Sequence, residues 1–324
     1  MMKPALLAGA LVALPTLVSA QGVEFDGAVT LGYAFNSSSI GGTDLNLNGY
    51  SIDFDGDLSF SEEFSVGLGF GFSSGDLEIG GLGTDLNIDL ISLEVEPQYS
   101  FSNGAYVGAY YHMNDLDLAL LAPITFGIDA NSYGVFGGYD FGQGHVEAFY
   151  GTTDLGDSPL LAGLNLDVVD YGVSGAYQVM PELEIYGAVL RTDISVATVD
   201  LHATAYSIGA SYDLGNGFDI YGAVGGATLD LGALSPQDIT STGLTLGASY
   251  DLSQSGSMPI VLSAEYSRTS LDLGPIAGVD PDIDRFAVGL TIPIGNGSSA
   301  PLNSNTRTAH GDYRSALGAV LNSF

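Results

Sequence analysis

Tyr206-Ser-Ile-Gly-Ala-Ser-Tyr-Asp-Leu-Gly-Asn-Gly-Phe-Asp-Ile-Tyr-Gly-Ala-Val224 reads as two alternating runs joined by a Gly-Asn-Gly turn, the pattern of an antiparallel hairpin. A tyrosine in the same setting recurs at Tyr99, Tyr139, Tyr177, Tyr212 and Tyr250, at intervals of 40, 38, 35 and 38 residues. Each closes an alternating run and is followed by a short polar turn, so one period is one hairpin and the chain is built by repetition. Tyrosines held at one height around repeated hairpins form the girdle of a transmembrane barrel, with the ring in hydrocarbon and the hydroxyl among head groups.

Working outward from this hairpin, fourteen alternating segments fit between Val23 and Ile294. The connections alternate between two kinds. Ser61 to Glu63, Ser102 to Gly104, Gly142 to Gln143, Met180 to Glu182, Gly215 to Gly217 and Ser253 to Met258 are short. Ser74 to Asn87, Thr153 to Gly163, Gly232 to Asp238 and Asp272 to Pro281 are longer and rich in Asp, Gly and Pro. Outer-membrane barrels have short periplasmic turns and longer external loops, which orients the chain and returns both ends of the barrel to the periplasmic side. The expected fold is all-β: a transmembrane antiparallel β-barrel of about fourteen strands, with sixteen as the alternative.

Bulk properties agree with a barrel wall. Residues 1–20 carry Lys3, an apolar stretch from Ala5 to Val18 and a Val-Ser-Ala box, the features of a secretory signal peptide cut after Ala20. No later apolar run is long enough for a spanning helix, yet 46% of residues are hydrophobic beside 38 acidic side chains. Hydrophobicity distributed by alternation, one face to lipid and one to water, reconciles the two. With Lys3 removed, only Arg191, Arg268, Arg285, Arg307 and Arg314 remain as basic residues, so the chain repels nucleic acid and anionic membrane surfaces, which argues against them as partners. The chain has no cysteine, so it has neither disulfides nor thiolate metal sites.

Parity assigns the faces. Phe286, Val288, Leu290, Ile292 and Ile294 share one side of the last strand, and Arg285, Ala287, Gly289 and Thr291 the other. Leu244, Leu246, Ala248, Tyr250 and Leu252 alternate likewise with Gly243, Thr245, Gly247, Ser249 and Asp251. The apolar set faces lipid, and the lumen is expected to be polar, water-filled and lined by small side chains. The same parity turns Asp26, Asp53, Asp55, Asp57, Glu94, Glu96, Glu147, Asp170 and Glu265 inward against one basic residue, Arg285, placed near Ser267 and diagonal to Glu265. Such an imbalance of fixed charge concentrates cations and repels anions, so these residues are expected to line a cation-preferring pore.

Other chemistry finds little footing. Asp53-Phe-Asp-Gly-Asp57 lacks the glycine and the distal acid of a calcium loop, since Leu58 and Phe64 hold those places. Asp280, Asp282 and Asp284 are the better candidates for a divalent cation. His112, His145, His202 and His310 are scattered, no serine has a nucleophile setting, and neither catalysis nor a cofactor is expected. Residues 296–324 leave the pattern, and Ala316, Leu317, Val320 and Leu321 stand at helical spacing. The expected organisation is a signal at 1–20, a barrel at 21–295 and a tail at 296–324 that is periplasmic or forms a terminal strand.

The repeats at Tyr206 to Val224, Tyr171 to Val189 and Gly243 to Tyr266 resemble the hairpins of the Gram-negative general porins, the Gly-Ala-Ser-Tyr-Asp-Leu phrases being the most specific part. That resemblance implies an outer-membrane diffusion pore, exported through the periplasm and surrounded by lipid and lipopolysaccharide, that passes small hydrophilic solutes and cations, with a homotrimer possible. It also implies sixteen strands, a long third external loop folded inward, and arginines facing acids across a constriction. This sequence shows fourteen strands, only Asp115 to Pro123 where that loop would be, and no basic cluster. The alternative is a structural or adhesive barrel that does not conduct, its lumen plugged by the C-terminal tail and its acidic loops acting outside. A lipid-modifying barrel enzyme is a more remote reading.

Overall fold

The computed structural model describes residues 23–80, 85–121, 124–156, 166–196, 199–235, 237–255, 259–273, 280–295 and 304–321; the segment read as a signal peptide lies outside them. The strands are β1 (Glu24–Ile40), β2 (Thr43–Ser59), β3 (Phe64–Ile79), β4 (Asp85–Ser100), β5 (Ala105–Leu121), β6 (Ile124–Asp140) and β7 (Gly144–Asp154). They continue as β8 (Leu166–Met180), β9 (Leu183–Val196), β10 (Val199–Gly215), β11 (Phe218–Asp230), β12 (Ile239–Asp251), β13 (Val261–Asp272) and β14 (Asp282–Ile294). Each pairs antiparallel with its successor, and β1 closes on β14 from Gly27 opposite Ile294 to Ser38 opposite Ile283. Fourteen strands, and not sixteen, make the barrel, and no helix of the described residues is long and apolar enough to cross a membrane.

Alternation sets the two faces. Leu31, Tyr33 and Phe35 are exposed on the outside of β1, whereas Thr30 is buried inside, its hydroxyl 2.9 Å from that of Thr291 on β14. Tyr99, Tyr139, Tyr177 and Tyr212 are exposed near the short-turn rim, and Tyr250 stacks on Phe218 at 4.3 Å between ring centroids. At the turn between β10 and β11, Gly215, Asn216 and Gly217 have φ of 79°, 57° and 81°. Those left-handed values suit glycine and asparagine, which explains the Gly-Asn-Gly phrase. The Asp213 carboxylate accepts the Gly215 N–H at 2.6 Å, fixing the start of the turn.

Three expectations, on a loop, the lumen and the tail, are corrected. Ser74 to Asn87 is not one long loop: β3 runs on to Ile79 and β4 begins at Asp85. There the alternation persists with its polarity reversed, Asp76 and Glu78 exposed and Leu77 and Ile79 turned in, so a lipid-face template fails to register it. Nor is the lumen lined only by small groups. Tyr110, Phe136, Phe149 and Leu190 are buried on the inner face of β5, β6, β7 and β9.

They are buried because the C-terminal segment covers them. Residues 304–321 are neither a terminal strand nor a periplasmic extension. They form α1 (Ser304–His310) and α2 (Ala316–Leu321), folded back inside the barrel against the wall from β8 to β12. Tyr313, Ala316 and Ala319 complete one apolar cluster with Tyr110, Phe136, Phe149 and Leu190, and Ala309 joins Tyr186 and Ala223 in another.

The face assignment is tested at Leu246, exposed near the middle of β12. Leu246→Arg places a cation in hydrocarbon and should cost about 2–4 kcal/mol, read as a lowered midpoint in urea unfolding from lipid vesicles. Leu246→Val should cost much less.

Candidate functional site

The inner wall of β2, β3 and β4 is built as an acidic trough. Asp53, Asp55 and Asp57 stand on β2 and Glu94 and Glu96 on β4, with Gly71, Gly69 and Gly67 of β3 between them in register. A side chain on β3 would crowd the flanking groups: a Cβ at Gly69 would lie 2.9 Å from Glu94 Oε2 and 3.1 Å from its Cβ, and one at Gly71 would press on Ser92 Oγ, whereas at Gly67 the nearest atom is Asp57 Oδ1 at 3.5 Å. The glycines leave a floor over which the flanking carboxylates lie. Above that floor is a cleft of about 300 Å³, bounded by Asp55, Asp57, Glu94 and Glu96 on the wall and by Arg307, Asp312 and Arg314 from the tail.

Arg314 fixes the tail in place. Its Nε and Nη2 each donate to Glu96 at 2.8 Å, while Nη1 donates to Glu147 of β7. Glu96 also takes His112 Nε2 at 2.8 Å. The guanidinium lies 4.6 Å from the ring centre of Phe136 and 5.8 Å from those of Tyr110 and Phe149, a cation–π cage that suits a desolvated arginine. Burial opposes the Arg314 charge, but the hydrogen bonds and charge of Glu96, then those of Glu147, outweigh it and hold the guanidinium above its ordinary pKa.

Further contacts seat the segment on the opposite wall. The backbone N–H of Ala316 donates to Thr192 Oγ1 at 3.0 Å. Thr192 in turn donates to Asp170 at 2.5 Å, as does Thr153, which meets Ser132 at 2.6 Å. The His310 ring lies on Tyr186 at 3.7 Å between centroids. Arg307 donates to Asp312 at 3.2 Å and lies 3.9 Å from Asp55 across the cleft.

The sequence-derived residues therefore separate into groups. Asp53, Asp55, Asp57, Glu94 and Glu96 gather on one wall, and Glu147 is bound by Arg314. Asp170 is turned inward but fully covered, so it braces the tail and borders no open space. Glu265 accepts the Tyr221 hydroxyl at 2.8 Å, and Arg285 is paired in register with Ser267. Asp282 and Asp284 do not form a metal site: both flank Arg268 on the outer face, Asp282 accepting from Arg268 and Ser270, and Asp284 from Tyr266. Among the described residues no group of His, Asp or Glu is arranged to hold a metal ion. Arg307 and Arg314 escaped sequence reasoning, although two of the five arginines beyond Lys3 in a segment outside the repeats were the available signal.

A family model described as Gram-negative porin matches residues 39–197 and 94–232, more than half of the chain. The chain belongs to the Gram-negative porin family. This porin is accordingly an outer-membrane channel protein, with its outer face in membrane lipid. No curated protein matches the sequence. Among solved structures, it is similar in fold to the CymD monoaromatic hydrocarbon channel, at 14% identity and a TM-score of 0.53 over 88% of this chain and 92% of that one. A Pseudomonas aeruginosa FadL homologue matches at 12% identity and 0.53, covering 83% and 90%. An anion-selective porin from Comamonas acidovorans matches at 14% and 0.50, covering 84% and 99%. At such identities the likeness speaks for the barrel alone.

Arg314→Met removes the buried charge that two partly buried carboxylates share. Breaking such a pair from one side costs about 3–5 kcal/mol, enough to undock the tail from the porin. Trypsin added from the periplasmic side should then cleave after Arg307, which stays protected in the parent protein; equal protection in both would contradict the clamp.

Proposed function

We propose that this porin passes small hydrophilic solutes and ions by passive diffusion along the acidic trough, with a preference for cations, through a lumen narrowed by its own C-terminal segment. The observation that carries this reading is the cleft left between the β2–β4 carboxylates and the docked tail. Its wall supplies four carboxylates against the two tail arginines, and Asp312 adds a fifth, so the net fixed charge along the route is negative and counter-cations are drawn in. The arginines opposite the acids set a field across the cleft, and in this chain the basic side of that constriction comes from the tail and not from the wall. The anion selectivity in the name of the Comamonas protein belongs to that protein. The reading asks for no catalytic step, cofactor or metal.

The docked tail also favours a second reading, a closed barrel whose lumen the segment plugs and whose acidic loop end acts outside. Planar-bilayer recording separates the two. Open-channel steps from the full chain, with a reversal potential in a KCl gradient that favours potassium, support the first. Silence from the full chain, with steps from a chain ending at residue 295, supports the second. Silence from both sinks the channel reading. If the full chain conducts, truncation at 295 should raise its unit conductance several-fold, and joint Asp53→Asn, Asp55→Asn and Asp57→Asn should move the reversal potential toward zero.

A further inference from the structure

Toward the loop end, beyond the acidic trough, the lumen changes character. The outer face turns acidic, with Asp44, Asp76, Glu78, Asp117 and Asp129 exposed. The inner face turns apolar, where Leu90, Leu116 and Ala130 form a buried cluster with Ile88, Leu118 and Ile128 packed on it. Polar outside and apolar inside is the alternation of a sheet standing in water around an apolar interior. This part of the wall stands clear of the hydrocarbon, and its interior is the first part of the lumen that a solute arriving from outside would meet.

A cavity of about 50 Å³ opens at the lower edge of this zone, between β14 and β5, where the outer face still carries Tyr33, Phe35, Tyr50 and Phe286. Its floor is set by register: Ala287 lies opposite Ala34, Ala34 opposite Gly49, and Gly49 opposite Gly75. Leu47, Ile88, Leu90 and Leu116 stand around that recess, and Arg285, one row nearer the loop end, lines it with Asn36. The lining surface is mostly apolar, and Arg285 is its one charged side chain. Arg285 is not unpaired, since the charges of Glu265 and Asp53 bear on it, but neither acid lines the cavity.

We propose that this upper cavity is a binding site for short aliphatic monocarboxylates. The alkyl end occupies the recess over Ala34 and Gly49 against Leu90 and Leu116, and the carboxylate meets the Arg285 guanidinium. Three features select that class. Apolar walls favour an alkyl body over a sugar or a phosphate, which would leave its hydroxyls or oxygens without partners. The guanidinium favours a carboxylate over an ammonium. The size is about a third of the roughly 150 Å³ cavity that accepts benzene, so a chain of a few carbons fits where an aromatic ring does not. The inference goes beyond the channel reading and does not rest on it: the cavity holds an anion at the entrance while the trough beyond favours cations, so the carboxylate is a bound ligand of the upper lumen and not the ion that the trough passes.

Calorimetric titration of the full-length protein in detergent tests the site without requiring conduction. Sodium butyrate is expected to bind saturably, and butylamine and inorganic phosphate are not. Arg285→Gln and Ala34→Leu, which remove the charge and fill the recess, should each weaken butyrate binding by about tenfold or more. Circular dichroism establishes that each variant is folded; Leu116→Ser replaces either one that is not. Absence of butyrate binding, equal binding of butylamine, or unchanged affinity in the folded variants would overturn the proposal. If butyrate binds while bilayers stay silent, the channel reading fails and the site stands; if bilayers conduct and butyrate does not bind, the reverse holds.

Discussion

Hydrocarbon offers no partner to a backbone N–H or C=O, and every other feature of this molecule follows from meeting that constraint with strands. The ladder from β1 to β14 has no free edge, and once it closes, the inner face is cut off from lipid whatever its composition. A closed wall of fourteen strands encloses more space than its own side chains fill, because β3 and β12 present glycine, serine and threonine inward. The remaining volume must hold water or protein. Here it holds both: α1 and α2 fill the side between β8 and β12, and the glycine-floored trough of β2 to β4 stays open.

Charge decides which side is filled. A chain this acidic cannot place five inward carboxylates on one wall without mutual repulsion, and each arginine brought near relieves it. Arg314 reaches Glu96 and Glu147 on strands that do not adjoin, so one side chain ties the trough to the aromatic side of the lumen. The aromatic residues make that possible, since Phe136, Tyr110 and Phe149 give a buried guanidinium favourable contacts where an aliphatic wall would give none. The same bulky inner residues take up the Ala316 and Ala319 face of α2, so the clamp and the packing act on one segment.

How much of this was legible depended on the distance over which each signal acts. The strand count and the lipid face were readable because alternation is local and repeats with every hairpin; Tyr212 and the Gly215-Asn216-Gly217 turn each report on a few neighbours. The inward parity of Asp53, Asp55 and Asp57 was readable for the same reason. The docked tail was not, because its main contact joins residues 218 apart and leaves no periodic trace. Ala316, Leu317, Val320 and Leu321 announced a helix but not what it would cover. The upper ends of β3 and β5 were misjudged for a different reason: their alternation is intact, but Asp76, Glu78 and Asp117 lie on the face where a membrane template expects apolar residues.

That reversal of polarity along single strands gives the lumen its order from outside to inside. On β4, Ile88 and Leu90 face inward above and Glu94 and Glu96 face inward below, six residues or so apart on one parity. On β2 the same change runs from Leu47 to Asp53. A solute descending the wall passes from a surface that rewards loss of water to one that rewards charge, within about 20 Å of strand. Neither zone alone discriminates strongly: an apolar recess admits any small alkyl group, and a ring of acids admits any cation. The two zones also differ in the sign of charge they favour, because Arg285 lines the recess and the acids of β2 and β4 line the trough. An inner face that changes chemistry without a change of strand, turn or register means that in this barrel the character of the lumen is written in the order of residues along each strand, while the fold is written only in their alternation.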